Sequence, residues 1–342
     1  MTKERIIAAI QGKNKAYEGL DLALRMRYYY QKGFSLAWSY QGERGTFCLG
    51  PRRKDDSLIE EDTLLQAGSI SKTVFATLLM RLHDQGKIDL LEDVNSYLKD
   101  YHVEAPQAEK ITLKMLLSHM AGFNVHGFRG YSPSQHMTND DVIQGCGNSL
   151  KLLIDFPPQT CWRYSGGGYQ IAQKAIEDSL GSDTQSLAEQ YVFKPLGLTN
   201  SGYWQPLYET RHAQAAHAMN SPDENYHFYP ELAAAGLWTT PSDLVDFALS
   251  LRNSLQGSDF LSQKTMAIMT DQVWNGRCVG IFCTEDQTEF FHGGSNMGFE
   301  SLVAFSRDQD FAFAIMANSN GASALNREIF SVVKNELGIS VS

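Results

Sequence analysis

Cysteine is scarce in this chain, and its spacing excludes the two common structural uses of that residue. Five cysteines occur among 342 residues, and no two of them form a Cys-x-x-Cys pair. Disulfide frameworks and zinc knuckles depend on even numbers or close pairs of cysteines. We therefore expect small buried thiols, with no disulfide framework, at all five positions: Cys48, Cys146, Cys161, Cys278 and Cys283.

Long apolar runs and excess positive charge are also missing. The longest apolar runs have seven residues, 232–238 and 311–317, whereas a membrane-spanning helix needs about 20. Lys and Arg number 29 against 39 Asp and Glu, which gives a net charge of −10 and disfavours polyanion binding. We expect no membrane span and no nucleic-acid partner, and no sequence pattern specifies an oligomeric state.

Signals for export, metals and nucleotides are absent as well. The first 22 residues are charged and lack the apolar core of a secretory signal, so we expect a cytoplasmic protein. A periplasmic or secreted protein is the alternative if a leader has been removed. The histidines show no His-Glu-x-x-His spacing, and the glycines form no GxGxxG, Walker or GxSxG motif. We therefore expect no metal and no cofactor.

Hydrophobic periodicity predicts strands near both ends of the chain and helices between them. A helix is expected from Val74 to a stop at Gly86, and a final helix carries Leu325 to Leu337. Other helices are expected at 112–119, 139–154, 167–180, 184–193 and 241–254. Apolar runs indicate strands at 34–40, 45–49, 278–284, 288–292, 301–306 and 311–317.

This pattern predicts an α+β fold in which an antiparallel sheet is built from both chain termini and flanked by helices. The segment between the strands forms a mostly helical insertion. We expect a single domain over residues 1–342. Its sheet lobe would span about 30–65 and 275–342, and its helical lobe about 85–265.

The strongest chemical signal is the segment Ser69-Ile70-Ser71-Lys72 at the start of a predicted helix. Residues three apart on a helix lie on one face, so the Lys72 amine can reach the Ser69 hydroxyl. A buried lysine can lose its proton near neutral pH and act as a base. The helix N-terminus adds partial positive charge where an oxyanion would form. A serine helix cap followed by a surface lysine is the alternative for a chance match.

Several segments in order resemble one family. The similarity is to the serine β-lactamase and penicillin-binding-protein superfamily, closest to class C β-lactamases and their esterase and peptidase relatives. The resemblance covers roughly residues 34–335 and implies a β-lactamase-like fold. The similar segments are Thr63–Lys72, Ile111–Gly122, Phe156–Gly166, Phe193–Leu198 and Phe291–Ser295.

The resemblance implies roles for the second and third motifs. Tyr164 corresponds to the tyrosine of the family's Tyr-x-Asn motif, and a phenol near an ammonium group is expected to have a lowered pKa and to carry protons. Gly166 stands in place of the asparagine, which removes an amide that grips the substrate and leaves room for a different acyl group. A core tyrosine with a satisfied hydroxyl is the alternative for Tyr164.

The third motif is His292-Gly293-Gly294, where many members of the superfamily have Lys-Thr-Gly. His292, partly charged at pH 7, is expected to donate to a substrate carbonyl or to steer the Tyr164 proton. The two glycines let a strand approach the substrate, and the Ser295 N–H is the implied second oxyanion donor. A surface histidine at a strand end beside a glycine turn is the alternative.

Together these residues predict a cofactor-free serine hydrolase that acts through an acyl-enzyme on a small ester, amide or peptide. Ser69 would attack, Lys72, Tyr164 and His292 would handle protons, and Ser295 would help to bind the oxyanion. A D-amino-acid peptidase and a β-lactamase are the alternatives among enzymes. The alternative from another class is a non-catalytic, penicillin-binding-like sensor or binding protein, which the changes at Gly166 and His292 would allow.

Overall fold

The computed structural model describes residues 2–17, 21–55, 57–105, 110–132, 134–220, 225–258 and 260–339. Residues 1 and 340–342 of the expected single domain therefore lie outside the description. The strands are β1 Phe34–Tyr40, β2 Glu43–Leu49, β3 Leu65–Gln66, β4 Trp238–Thr239, β5 Phe282–Cys283, β6 Glu289–Asn296, β7 Phe299–Ser306 and β8 Phe311–Ala317.

Helices separate and follow these strands. Their bounds are α1 Thr2–Ile10, α2 Leu22–Tyr28, α3 Ile70–Asp84, α4 Leu113–Leu117, α5 Asn139–Ile143, α6 Gly166–Leu180, α7 Thr184–Ala188, α8 Lys194–Leu196, α9 Leu232–Ala235, α10 Pro241–Leu255, α11 Gln263–Thr270 and α12 Ser323–Leu337. A π-helical turn spans Glu189–Phe193, and short 3-10 turns span Lys15–Tyr17, Val94–Ser96 and Glu209–Arg211.

The main sheet joins the two ends of the chain, as the sequence predicts. Its six strands lie in the order β2-β1-β8-β7-β6-β5, and every neighbouring pair is antiparallel. β1 pairs with β8 along its whole length, and both strands are buried on both faces of the sheet apart from the half-buried Tyr40 at the end of β1. The α+β class with a sheet built from both termini and a largely helical segment between them is confirmed.

Two layers of helices bury the two faces of this sheet. Helices α1 and α12 pack on one face around a core that includes Phe34, Phe313 and Leu325. Helices α3 and α10 pack on the other face around a larger core that extends into the helical segment. No helix within the described ranges is both long and apolar enough to cross a membrane.

Glycine explains where the observed elements differ from the predicted ones. The helix predicted over 139–154 ends at Ile143, because Gly145 and Gly147 adopt φ angles of +80° and +73°. The strand predicted over 278–284 shrinks to Phe282–Cys283, because Gly280 at φ +81° forms a turn.

Two other elements are longer in the structure than the sequence predicts. The strand predicted over 288–292 continues to Asn296, so His292 lies inside β6 and not at its end. The helix predicted from Val74 already begins at Ile70, and this places Ser69 at its N-cap.

Candidate active site

The start of α3 packs directly against strand β6. Gly68 precedes Ser69 with a φ of +53°, and a Cβ at Gly68 would lie 2.6 Å from the Ser295 nitrogen. A Cβ at Gly294 would lie 1.9 Å from the Ala67 carbonyl oxygen. Both positions therefore require glycine. This close approach brings the backbone N–H groups of Ser69 and Ser295 to the same end of one cleft.

Lys72 lies one helical turn from Ser69 and is only 2% exposed. Its Nζ donates to the Ser69 Oγ at 3.2 Å and to the Ala234 carbonyl oxygen at 2.7 Å. Burial lowers the pKa of Lys72 to about 7, although the Glu231 carboxyl opposes the shift. A substantial fraction of Lys72 is therefore uncharged at neutral pH, in contact with the Ser69 hydroxyl.

Tyr164 lies beside this pair, but its charge state differs from the expected one. The Lys72 Nζ is 5.0 Å from the centre of the Tyr164 ring. Burial raises the pKa of Tyr164 above its ordinary value, and a hydrogen bond with Ser69 only partly opposes this. The expected lowering of the pKa is wrong, because the loss of hydration on burial is the largest effect on this phenol. The phenol remains protonated at neutral pH and can give a proton only as it receives another.

His119 positions Tyr164 and was not singled out as a site residue in the sequence. Its ring centre lies 4.4 Å from that of Tyr164, and its Nδ1 accepts the Ser165 N–H at 3.0 Å. The residue has a φ of +62°, and burial holds its pKa well below the ordinary value. No sequence signal distinguishes it from other histidines, because its contacts come from a segment more than 40 residues away.

His292 is buried and uncharged. Its ring stacks on Phe282 with centres 4.8 Å apart, and burial lowers its pKa to about 3. The Nδ1 lies 2.6 Å from the Gly293 carbonyl oxygen, so Nδ1–H donates and Nε2 is left as an acceptor. The expected partial charge is wrong, and so is donation from Nε2 to a substrate carbonyl. Guiding the proton of Tyr164 is the expected role that remains compatible with this tautomer.

The space beside Gly166 is filled. Gly166 begins α6, and its N–H donates to the His126 carbonyl oxygen at 2.9 Å. A Cβ at this position would lie 2.5 Å from the Phe128 ring. The expected room for a different acyl group is therefore absent, because the Phe128 side chain from the preceding loop occupies it. Gly166 permits close packing of α6 and does not line the cleft.

The other predicted residues surround a cleft of about 570 Å³. Ser69, Tyr164, His292 and residues 293–295 all line this cleft. Aromatic side chains form a wall that the sequence analysis did not identify: Trp162, Phe282 and Phe291. The arrangement can hold a small substrate between a nucleophile with an adjacent amine and two backbone donors. Its lining includes no Asp or Glu from the described residues.

Two further groups near Lys72 were not predicted. The Ala234 carbonyl fixes the amine, and Glu231 at the start of α9 is fully buried. Burial raises the pKa of Glu231 to about 8, so its carboxyl is largely uncharged at pH 7. Within the described ranges, no three His, Cys, Asp or Glu side chains are arranged to hold a metal ion.

The fold and the sequence define a serine-hydrolase-type protein. The chain belongs to the beta-lactamase family, whose family model matches residues 49–334.

Comparisons with individual proteins agree with this membership. The chain is 25% identical to penicillin-binding protein 4 of Amycolatopsis lactamdurans, covering 89% of this chain and 85% of that protein. It matches the structure of D-amino acid amidase from Ochrobactrum anthropi SV3 with a TM-score of 0.78 and 20% identity, over 97% and 99% of the two chains. A class C beta-lactamase matches with a TM-score of 0.74 and 18% identity, over 97% of each chain. The two structural matches show a shared fold.

The length of the match varies among relatives. The chain spans only about a third, 34% and 31%, of two FimD fimbrial assembly proteins of Dichelobacter nodosus that it also matches.

Proposed function

We propose that this protein is a serine hydrolase that acts through an acyl-enzyme on a small ester or amide. The observation that carries the proposal is the buried Lys72 amine, 3.2 Å from the Ser69 hydroxyl and with a pKa lowered to about 7. A neutral amine in this position can accept the hydroxyl proton as the oxygen attacks. Membership in the beta-lactamase family supports the same chemistry.

Acylation proceeds in one balanced sequence. The Ser69 Oγ attacks the substrate carbonyl carbon while its proton moves to the Lys72 Nζ. The carbonyl oxygen becomes an oxyanion between the Ser69 and Ser295 N–H groups. Tyr164 gives its proton to the leaving group and regains one from Lys72, so both residues return to their starting states. The unprotonated Nε2 of His292 orients the Tyr164 hydroxyl.

Deacylation uses the same groups in reverse order. A water molecule attacks the ester, and its proton passes through Tyr164 to neutral Lys72. The proton then returns to the Ser69 oxygen as the acid product leaves. The cleft includes no carboxylate from the described residues, so the Lys72–Tyr164 pair activates the water.

Two features favour esters and small amides over β-lactams. His292 carries no charge at neutral pH, so it does not attract a substrate carboxylate as a lysine would. Gly166 offers no side-chain amide to a substrate. We place a D-amino-acid peptidase second and a β-lactamase third. A non-catalytic binding protein has no need of a buried amine beside the serine, and this disfavours it.

Labelling with a fluorophosphonate probe and a fluorescent penicillin tests the proposal. Intact mass and peptide mapping should locate the label on Ser69. Ser69→Ala should reduce ester hydrolysis below about a hundredth of the wild-type rate, because a covalent step is lost. Ser258→Ala, an exposed serine near the opposite end of α3, is the matched control. Label on another serine, or higher residual activity of Ser69→Ala, would refute the assignment.

A further inference from the structure

The candidate cleft continues over strand β6 onto the opposite face of the sheet. β5 pairs with β6 only at Phe290 and Phe291, and this leaves the next residues of β6 at an edge. Gly293 lies opposite Leu302 on β7, so both positions share one face. A Cβ at Gly293 would meet only the Ser301 carbonyl oxygen, at 3.7 Å. Packing therefore does not require glycine here, and its effect is to leave a passage open.

Beyond this passage lies a second groove of about 690 Å³. It shares three residues with the Ser69 cleft: Phe291, Leu302 and Arg327. Phe330 on α12 adds a further apolar surface, and the turn between β5 and β6 closes the outer end. Because the shared residues line both spaces, the cleft and the groove form one continuous surface with an apolar outer half.

Arg327 lies at the junction of the two spaces and is exposed. Its guanidinium forms no ion pair or hydrogen bond within the described part of the chain. Nearby carboxylates are already engaged: Glu289 pairs with the Lys334 Nζ at 2.6 Å, and Glu300 accepts from the Gly321 N–H at 2.8 Å and from Ser323. A chain with a net charge of −10 thus has an unneutralised cation at this point.

The outer end of the groove has the opposite charge. Glu285 and Asp286 lie in the β5–β6 turn, where the Thr284 and Thr288 hydroxyls donate to the Asp286 carboxylate. A negatively charged group is therefore attracted at Arg327 and repelled at the turn. The groove suits a molecule with one anionic end near the cleft and an uncharged apolar end.

We propose that this groove is a substrate subsite for a monocarboxylate with an unbranched apolar chain. The carboxylate contacts Arg327, and the chain lies on Phe291, Leu302 and Phe330. The proposal rests on the proposed function and specifies its substrate class. The preferred ester or amide carries a carboxylate beside an apolar chain, and the part of the substrate that links them to the reacting carbonyl crosses β6 at Gly293.

Binding of fatty carboxylates to the Ser69→Ala variant tests the proposed subsite without turnover. Isothermal titration with butanoate, hexanoate and octanoate should show affinity rising about twofold per methylene group. This corresponds to roughly half of the free energy gained when a methylene group is fully buried. Each acid should bind at least about threefold more tightly than its primary amide, because only the acid pairs with Arg327. Suberate, which adds a carboxylate at the far end, should bind more weakly than octanoate. Equal affinities across chain lengths, or for acids and amides, would overturn the proposal.

Variants separate the two halves of the subsite. Arg327→Gln should abolish the difference between acids and amides while preserving the dependence on chain length. Gly293→Val should weaken the dependence on chain length, because its side chain lies opposite Leu302 and covers part of the surface that the chain contacts. Arg44→Gln, on the opposite edge strand, is the control and should change neither. Arg327→Gln with an unchanged preference for acids would overturn the proposal, even if Gly293→Val fails to fold.

Fluorophosphonate labelling of the wild-type protein distinguishes the two proposals. Absent labelling with intact binding of octanoate would reject the hydrolase function but retain the subsite. Labelling of Ser69 without binding of octanoate would reject the subsite alone.

Discussion

Replacing Lys72 by methionine should make the protein more stable at neutral pH while abolishing its base. An unfolded lysine has a pKa of 10.5, whereas burial in the folded protein lowers it to about 7. At pH 7 the unfolded chain binds this proton fully and the folded protein only half, which costs the folded state about 4 kcal/mol. Methionine has a similar length and avoids this cost.

The net gain is smaller, because the variant also loses hydrogen bonds to Ser69 and to the Ala234 carbonyl. Their loss costs about 1–2 kcal/mol, so Lys72→Met should be about 2–3 kcal/mol more stable at pH 7. The pH dependence has a definite sign. A lowered lysine pKa destabilises the fold fully below pH 7, and this cost declines as pH rises towards 10.5. At pH 9.5 the remaining cost is about 1 kcal/mol, and the advantage of the variant should vanish.

Urea unfolding of the wild type and Lys72→Met, followed by tryptophan fluorescence between pH 6.5 and 9.5, measures this difference. Lys110→Met removes a half-exposed lysine and is the matched control, for which a small and pH-independent difference is expected. A stability difference of equal size at every pH, or a less stable variant at pH 7, would refute the placement of an uncharged Lys72.

Three further results are expected. The kcat/KM for ester hydrolysis should rise with pH through about 7, as Lys72 loses its proton; a profile flat between pH 5 and 9 would exclude Lys72 as the base. Lys72→Ala and Tyr164→Phe should each slow acylation by about 10²–10⁴. In stopped-flow measurements the double variant should lose much less rate than the product of the two single losses, because both residues act on one proton; a loss equal to that product would show that their roles are separate. Gly166→Asn should lower the thermal unfolding midpoint, because its Cβ meets the Phe128 ring; Gly166→Asn together with Phe128→Ala should recover part of that loss, and no change in either would contradict the packing.

The sheet and its main helices could be predicted because their signals are local. The alternating pattern of 34–40 and the continuous apolar run 311–317 are typical of buried strands, and the apolar spacing in α3 is typical of a packed helix. The bounds at 139–154 and 278–284 were wrong where glycines adopted left-handed angles. The sequence shows these glycines but not their conformations, which depend on the contacts of the folded chain.

The sequence could predict that Ser69 and Lys72 lie in contact, but it could not predict the charge states of the groups around them. The spacing of Ser69 and Lys72 follows from helix geometry, and their contact at 3.2 Å agrees with it. The charge states of Tyr164 and His292 depend on desolvation by groups distant in sequence, such as His119 and Phe282. A single sequence contains no measure of that burial. The filled space at Gly166 has the same origin, since Phe128 reaches it from another loop.

Long-range pairing, of which β1 with β8 is the clearest case, has a consequence for how the proposed active site would form. The β1–β8 pairing joins residues about 280 positions apart, so the contact order of the sheet is high and folding should be slow. The groups proposed for catalysis come from α3, from the segment before α6 and from β6, and residues 67–68 just before α3 contact β6 and β7 directly. A fragment that lacks β6 and β7 therefore lacks Ser295, the proposed second oxyanion donor. Recovered hydrolysis during refolding would report the contact between residue 68 and residue 295 and not the formation of any single helix.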